Sequence, residues 1–90
     1  MRFDVQVEVS LRDGISDPAG ATIERSLPAL GFDGVEAVRV GKSIRFQIDA
    51  PDETEARTRV EAMCERFLTN PVIEDSAVAL SASEREPASP

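Results

Sequence analysis

The chain has 90 residues, one cysteine, no histidine, tryptophan or tyrosine, and a formal net charge of −7 from 10 basic and 17 acidic side chains. Such a length makes one small domain, and the acidic balance disfavours nucleic acid and anionic membranes, whose binding rests on neutralising phosphates. A lone cysteine gives no internal disulfide framework and suits a reducing cytoplasm, while the lack of histidine removes the commonest general base and metal ligand.

Phe3, Val5, Val7, Val9 and Leu11 alternate with Asp4, Gln6, Glu8 and Ser10. This predicts a strand over 3–11 with one buried face. The alternation also leaves no continuous apolar stretch of the kind a signal peptide carries. Nowhere is there a run of about 18 apolar residues that could cross a membrane as a helix. After a loop at 12–16, the segment Asp17-Pro18-Ala19-Gly20 reads as a helix start. The Asp17 carboxylate can cap free amides, and Pro18 fits the first helical position, where no N–H is needed. Ile23, Leu27 and Leu30 come next at helical spacing, and Gly31 suits the residue just past the helix. Pro28 removes a bond to the Glu24 carbonyl and crowds it, so a kink or loosened last turn is expected near 24–28.

Gly41-Lys42-Ser43 has the ending of a phosphate-binding P-loop, but the first glycine of that pattern would fall at position 36, which is Glu36. The residues after Lys42 are also wrong for a P-loop. Ile44, Phe46 and Ile48 alternate with polar residues, so the segment leads into a strand rather than a helix. The reading preferred is a hairpin: a second strand over 35–40 carrying Val38 and Val40, a type II′ turn at Gly41-Lys42, and a third strand over 43–49.

Asp52 with Glu55 resembles a capping box and opens a second helix. Ala56, Val60, Met63, Cys64, Phe67 and Leu68 form its apolar stripe, the strongest periodic signal in the chain. Asn70-Pro71 stops it, since proline disfavours helix at the residue before. Residues 72–80 read as a fourth strand. From 81 to 90 the chain is small, polar and proline-containing, and is expected to be a disordered tail on a domain spanning 1–80.

The order β-α-β-β-α-β predicts an α+β fold, ferredoxin-like, with a four-stranded antiparallel or mixed sheet and two helices on one face. Chemistry is sparse. Cys64 lies within an apolar stripe with no histidine to activate it and reads as a core residue. Lys42 and Arg39 could hold an anion, but a contact with another protein is favoured. Asp52/Glu53 and Glu74/Asp75 read as a helix cap and a solvated strand edge rather than a cation site. An RNA-recognition module would need aromatic residues on a basic sheet, and a metal chaperone would need a C-x-x-C loop. A regulatory domain that binds a small ligand, of the amino-acid-sensing type, stays open as an alternative.

Four stretches in order, "VQVEVSL", "DPAG", "VRVGK" and "EAMCERFLTNPVIED", together resemble the PurS-type small subunit of phosphoribosylformylglycinamidine synthase. Asp17, Pro18 and Gly20 match its D-P-x-G helix start. Arg39, Gly41 and Lys42 match its R-x-G-K segment. Met63, Cys64 and Glu65 match the second-helix motif, and Asn70, Pro71, Ile73 and Glu74 match the stop and last strand. Ser76 departs from the family, which usually has an aromatic residue there, and Pro28 within the first helix is unusual. The resemblance implies a PurS-like fold and a dimer or tetramer with no catalytic, cofactor or metal site of its own. It also implies a role in purine biosynthesis, joining a glutaminase subunit to a large synthetase subunit that binds ATP and magnesium. Neither nucleic acid nor membrane is expected as a partner, and the setting is expected to be cytoplasmic. Arg39, Gly41, Lys42 and Asn70 are then candidate partner contacts. Asp17, Pro18, Gly20, Cys64, Pro71 and Glu74 are candidate structural residues.

Overall fold

A computed structural model describes residues 1–83. The central strand, β1, runs over Arg2–Leu11, and its alternation puts Phe3, Val5, Val7 and Val9 in the core. Two further strands, β2 (Lys42–Asp49) and β3 (Glu74–Ala82), pair with it on either side in antiparallel register. Val5 stands between Phe46 and Leu80, and Val7 between Ile44 and Val78. Matching apolar residues therefore meet across all three strands on one face. The opposite face carries Asp4, Gln6, Arg45 and Gln47 and stays polar, with Gln47 Nε2 donating to Asp4 Oδ1 at 2.8 Å.

Helix α1 spans Pro18–Ser26 and α2 spans Glu53–Met63. As Pro28 predicts, α1 gives way to a short 3-10 turn at Pro28–Leu30, closed by Gly31 in the left-handed region. Asp52 Oδ1 caps α2 by accepting from Glu55 N at 2.8 Å. The Glu55 side chain turns instead to Arg59, at 3.1 Å, so the reciprocal half of a capping box is replaced by an i,i+4 ion pair.

The α+β class holds, with two helices and a three-stranded antiparallel sheet, but the four-stranded sheet does not form. Residues 35–41 belong to no strand. Ala37 sits in the left-handed region at φ 57°, which interrupts any extended run, and the amides of Val38 and Val40 are taken by carboxylates rather than by a neighbouring strand. The expected type II′ hairpin is therefore absent. It would need positive φ at Gly41, and the described glycines with positive φ are Gly14, Gly31 and Gly34. Nor do two helices share the sheet's apolar face. Helix α1 is fastened to residues 38–40 at the end of the sheet, and α2 is the helix that packs on the sheet, toward β3.

Helix α2 and the chain end also depart from expectation. The helix continues as a π turn over Cys64–Leu68, with Thr69 N donating to the Cys64 carbonyl at 3.1 Å. A wider turn advances each side chain through a smaller angle. Ala56, Val60 and Cys64 stay buried and Leu68 packs on them, while Phe67, expected in the apolar stripe, is 86% exposed. Met63 is also largely outside the core. Strand β3 runs past the expected boundary at residue 80, because Ser81 pairs with Asp4 and Ala82 with Phe3. The rest of the expected tail, 84–90, lies outside the described residues.

Candidate contact site at the Leu11 end of the sheet

The motif residues separated in sequence come together where β1 ends. Asp17 is the hub. Its Oδ1 accepts from Gly20 N at 2.8 Å and caps α1, while its Oδ2 accepts from Val40 N at 2.8 Å. Arg39 Nε lies 3.9 Å from the same carboxylate. Only 8% of the Asp17 side chain is exposed. The Val40 amide, then the Gly20 amide, hold its carboxyl below the ordinary value, with the Arg39 charge adding to them and burial opposing.

Gly20 explains the last letter of D-P-x-G. A Cβ there would lie 2.3 Å from the Val38 carbonyl oxygen, so only glycine lets the 38–40 segment pass this close to the helix. Gly41 has a similar reason, since a Cβ would lie 2.6 Å from the Val9 carbonyl oxygen. Its role is close approach to β1 and not a turn. Pro18 occupies the first helical position, as expected.

Arg39 donates to the Leu11 carbonyl at 3.1 Å and to that of Arg12 at 3.4 Å. Glu24, which sequence reasoning did not single out, accepts from Val38 N at 3.0 Å. Its spacing from Gly20 put both on one face of α1, but nothing in sequence told what that face would meet. Together these bonds lace α1 to the linker between it and β2.

Lys42 starts β2 opposite Val9, and its Nζ lies 3.9 Å from Glu74 Oε2. Glu74 opens β3 opposite Leu11, and its carboxylate also accepts from Asn70 N at 2.7 Å. Asn70 shapes the turn after α2: its carbonyl accepts from the Ile73 and Glu74 amides and its side chain from Val72 N. Pro71 sits within that turn. Arg12, also not foreseen, ties the turn to β1 through a bond from its backbone N to the Ile73 carbonyl at 2.8 Å. Between these groups lies a groove of about 360 Å³ lined by Val9, Leu11, Pro18, Val40, Lys42 and Glu74. Cys64 is buried under α2 as a free thiol and borders a neighbouring pocket shared with Arg12, Pro71 and Glu74.

The structure thus brings Asp17, Gly20, Arg39, Gly41, Lys42 and Glu74 to one end, with Asn70 beside them. Their visible work is to fix two linkers in place. Side chains of Arg39 and Lys42 nevertheless remain about half exposed, at 46% and 56%.

A three-stranded antiparallel sheet backed by one helix, with a second helix laced at its end by an aspartate hub, defines a small α+β subunit-type domain. The chain belongs to the PurS family: residues 4–82 match the family described as PurS, phosphoribosylformylglycinamidine (FGAM) synthase. It is 39% identical over 82 residues to the phosphoribosylformylglycinamidine synthase subunit PurS of Synechocystis, covering 91% of this chain and 82% of that one. The PurS subunit of Methanothermobacter thermautotrophicus is 39% identical, with 93% and 99% covered. The crystal structure of Methanocaldococcus jannaschii PurS, one of the subunits of formylglycinamide ribonucleotide amidotransferase in the purine biosynthetic pathway, superimposes with a TM-score of 0.82 at 35% identity, covering 91% and 99%. A chain in the PurLQS structure from Thermotoga maritima gives 0.83 at 34% identity, covering 90% and 99%.

Proposed function

We propose that the chain is the small subunit of phosphoribosylformylglycinamidine synthase in purine biosynthesis. It acts as a non-catalytic piece that joins the glutaminase subunit to the ATP-dependent synthetase subunit and favours ammonia transfer to formylglycinamide ribonucleotide. The observation that carries this reading is likeness along the described chain, in sequence and in fold, to PurS subunits, including one within a PurLQS assembly. The residues agree with such a role. The polar motif residues are spent on holding linkers, which a scaffold needs and a catalyst does not. It works as a dimer or tetramer in the cytoplasm, holds no cofactor, and leaves ATP and magnesium to the synthetase subunit. Arg39, Gly41, Lys42 and Asn70 mark the end of the sheet that meets a partner.

The experiment is reconstitution with the glutaminase and synthetase subunits, comparing glutamine-dependent with ammonia-dependent synthesis. Only the glutamine-dependent reaction should need this chain. Lys42→Glu replaces the contact with Glu74 by a like-charge one and should cost about 1 kcal/mol of stability. If this end meets a partner, the same change lowers glutamine-dependent synthesis and leaves ammonia-dependent synthesis alone, because a misplaced charge at an interface can cost several kcal/mol. Full glutamine-dependent synthesis without the chain would overturn the reading. Full activity of Lys42→Glu would move the contact to another surface.

A further inference from the structure

The groove at the Leu11 end joins apolar walls to a cationic mouth. Leu11, Pro18, Ala19 and Val40 line it, together with Asp17, Lys42 and Glu74. Both carboxylates are already occupied and turned inward. Asp17 accepts from the Gly20 and Val40 amides and Glu74 from the Asn70 amide, and their side chains are 8% and 18% exposed. The Lys42 ammonium is not engaged in this way. Among the described residues it donates no hydrogen bond, and its charged contact is Glu74 at 3.9 Å. A half-exposed pair at that distance holds an ammonium loosely. Arg39, 3.9 Å from Asp17, adds a second half-exposed cation beside the groove. In a chain of net charge −7, this end therefore turns its cations outward and keeps its carboxylates in.

The walls are fixed before anything binds. Val40 is held through its amide on Asp17, and the close approaches at Gly20 and Gly41 pin the segment on either side of it. A preformed site loses little freedom on binding, so a few contacts suffice. Size sets the form of the occupant. One turn of α-helix, about 10 Å across and 5.4 Å long, fills roughly 420 Å³. That exceeds the groove's volume of about 360 Å³, so extended chain fits and a helix does not.

We propose that the groove seats an extended acidic segment of another subunit of the complex. An apolar side chain of that segment lies against Leu11, Pro18 and Val40, and a nearby carboxylate accepts from the Lys42 ammonium. Successive side chains of extended chain point to opposite sides, so an apolar residue in the groove leaves its acidic neighbour facing the mouth. This contact rests on the reading that this end of the sheet meets a partner subunit, and it specifies what that partner presents.

The test uses the full chain in the reconstituted complex. A diazirine-bearing amino acid in place of Val40, which is 39% exposed, should cross-link on illumination to the glutaminase or the synthetase subunit. The linked peptide, identified by mass spectrometry, should carry Asp or Glu within two positions of the linked apolar residue. Lys42→Gln should weaken binding to that subunit by about tenfold and flatten its salt dependence, because one charge-assisted contact is lost. Lys42→Arg should keep most of the affinity. A cross-link that forms only to a second copy of this chain overturns the proposal, as does a linked partner peptide without a carboxylate. Lys42→Gln binding as tightly as the natural chain overturns it too. Each of these results leaves the subunit's place in the synthase standing, because the need for the chain in glutamine-dependent synthesis is measured separately.

Discussion

The two halves of the molecule are held by different forces. In one, β1 and α2 bury Val5, Val7, Val9, Val60 and Cys64 in a continuous apolar core. In the other, residues 17–41, the sole fully buried residue is Gly20, and apolar side chains such as Leu30, Phe32 and Val35 face solvent. That second half is fixed by carboxylate-to-amide and arginine-to-carbonyl bonds. Hydrophobic burial contributes in proportion to area and tolerates small shifts, whereas these bonds depend on donor and acceptor position. An apolar core makes the sheet half stable. Directional bonds make the α1 half correctly placed, which is what a surface meant for another chain requires.

The largest way to disturb this division is Gly20→Ala. The added Cβ would meet the Val38 carbonyl at 2.3 Å, so backbone must move. A loss of about 2 kcal/mol is expected, in the range of other overpacked sites. The damage should fall on residues 17–41 and spare β1 and α2, which amide exchange resolved by residue would reveal. Equal loss of protection in both halves would mean that they do not behave separately.

Asp17→Asn is a smaller change that sharpens the same contrast. The carboxyl is held below its ordinary value of 3.8, chiefly by the Val40 and Gly20 amides. A carboxyl lowered on folding stabilises the native state above its unfolded value, and that contribution fades as pH falls through the lowered folded value. The variant should therefore be less stable than the natural chain at neutral pH. The gap should narrow as pH drops below 3.8. Denaturant melts across that range check it, and a gap independent of pH would mean that the charge of Asp17 does little.

Much of the sheet half was legible in sequence because burial there obeys simple periods. Alternation in β1 and β2, the Asp52 cap, the stop at Asn70-Pro71 and the loosened turn at Pro28 all appear as expected. The α1 half was legible as motifs but not as geometry. Val38 and Val40 alternate like a strand, yet their amides go to Glu24 and Asp17, and side-chain acceptors leave no trace in a hydrophobic pattern. Gly41 reads as a turn residue because glycine fits turns, while its actual constraint is the nearby Val9 carbonyl, a tertiary contact. The spacing of Phe67 places it in the core on a regular α-helix, but the π turn over Cys64–Leu68 alters that spacing and Phe67 faces solvent.

Amide hydrogen exchange measured as a function of protein concentration tests most directly whether the two halves are held separately, one by a core internal to the chain and one by bonds that association reinforces. Amides of β1 and α2 should be protected at every concentration, because their core is internal. Those in Ile23–Leu27, short of tertiary cover in one chain, should be weakly protected when dilute and gain protection as the chains associate. Protection of that segment that matches β1 at the lowest concentration, or that never rises with concentration, would contradict the account.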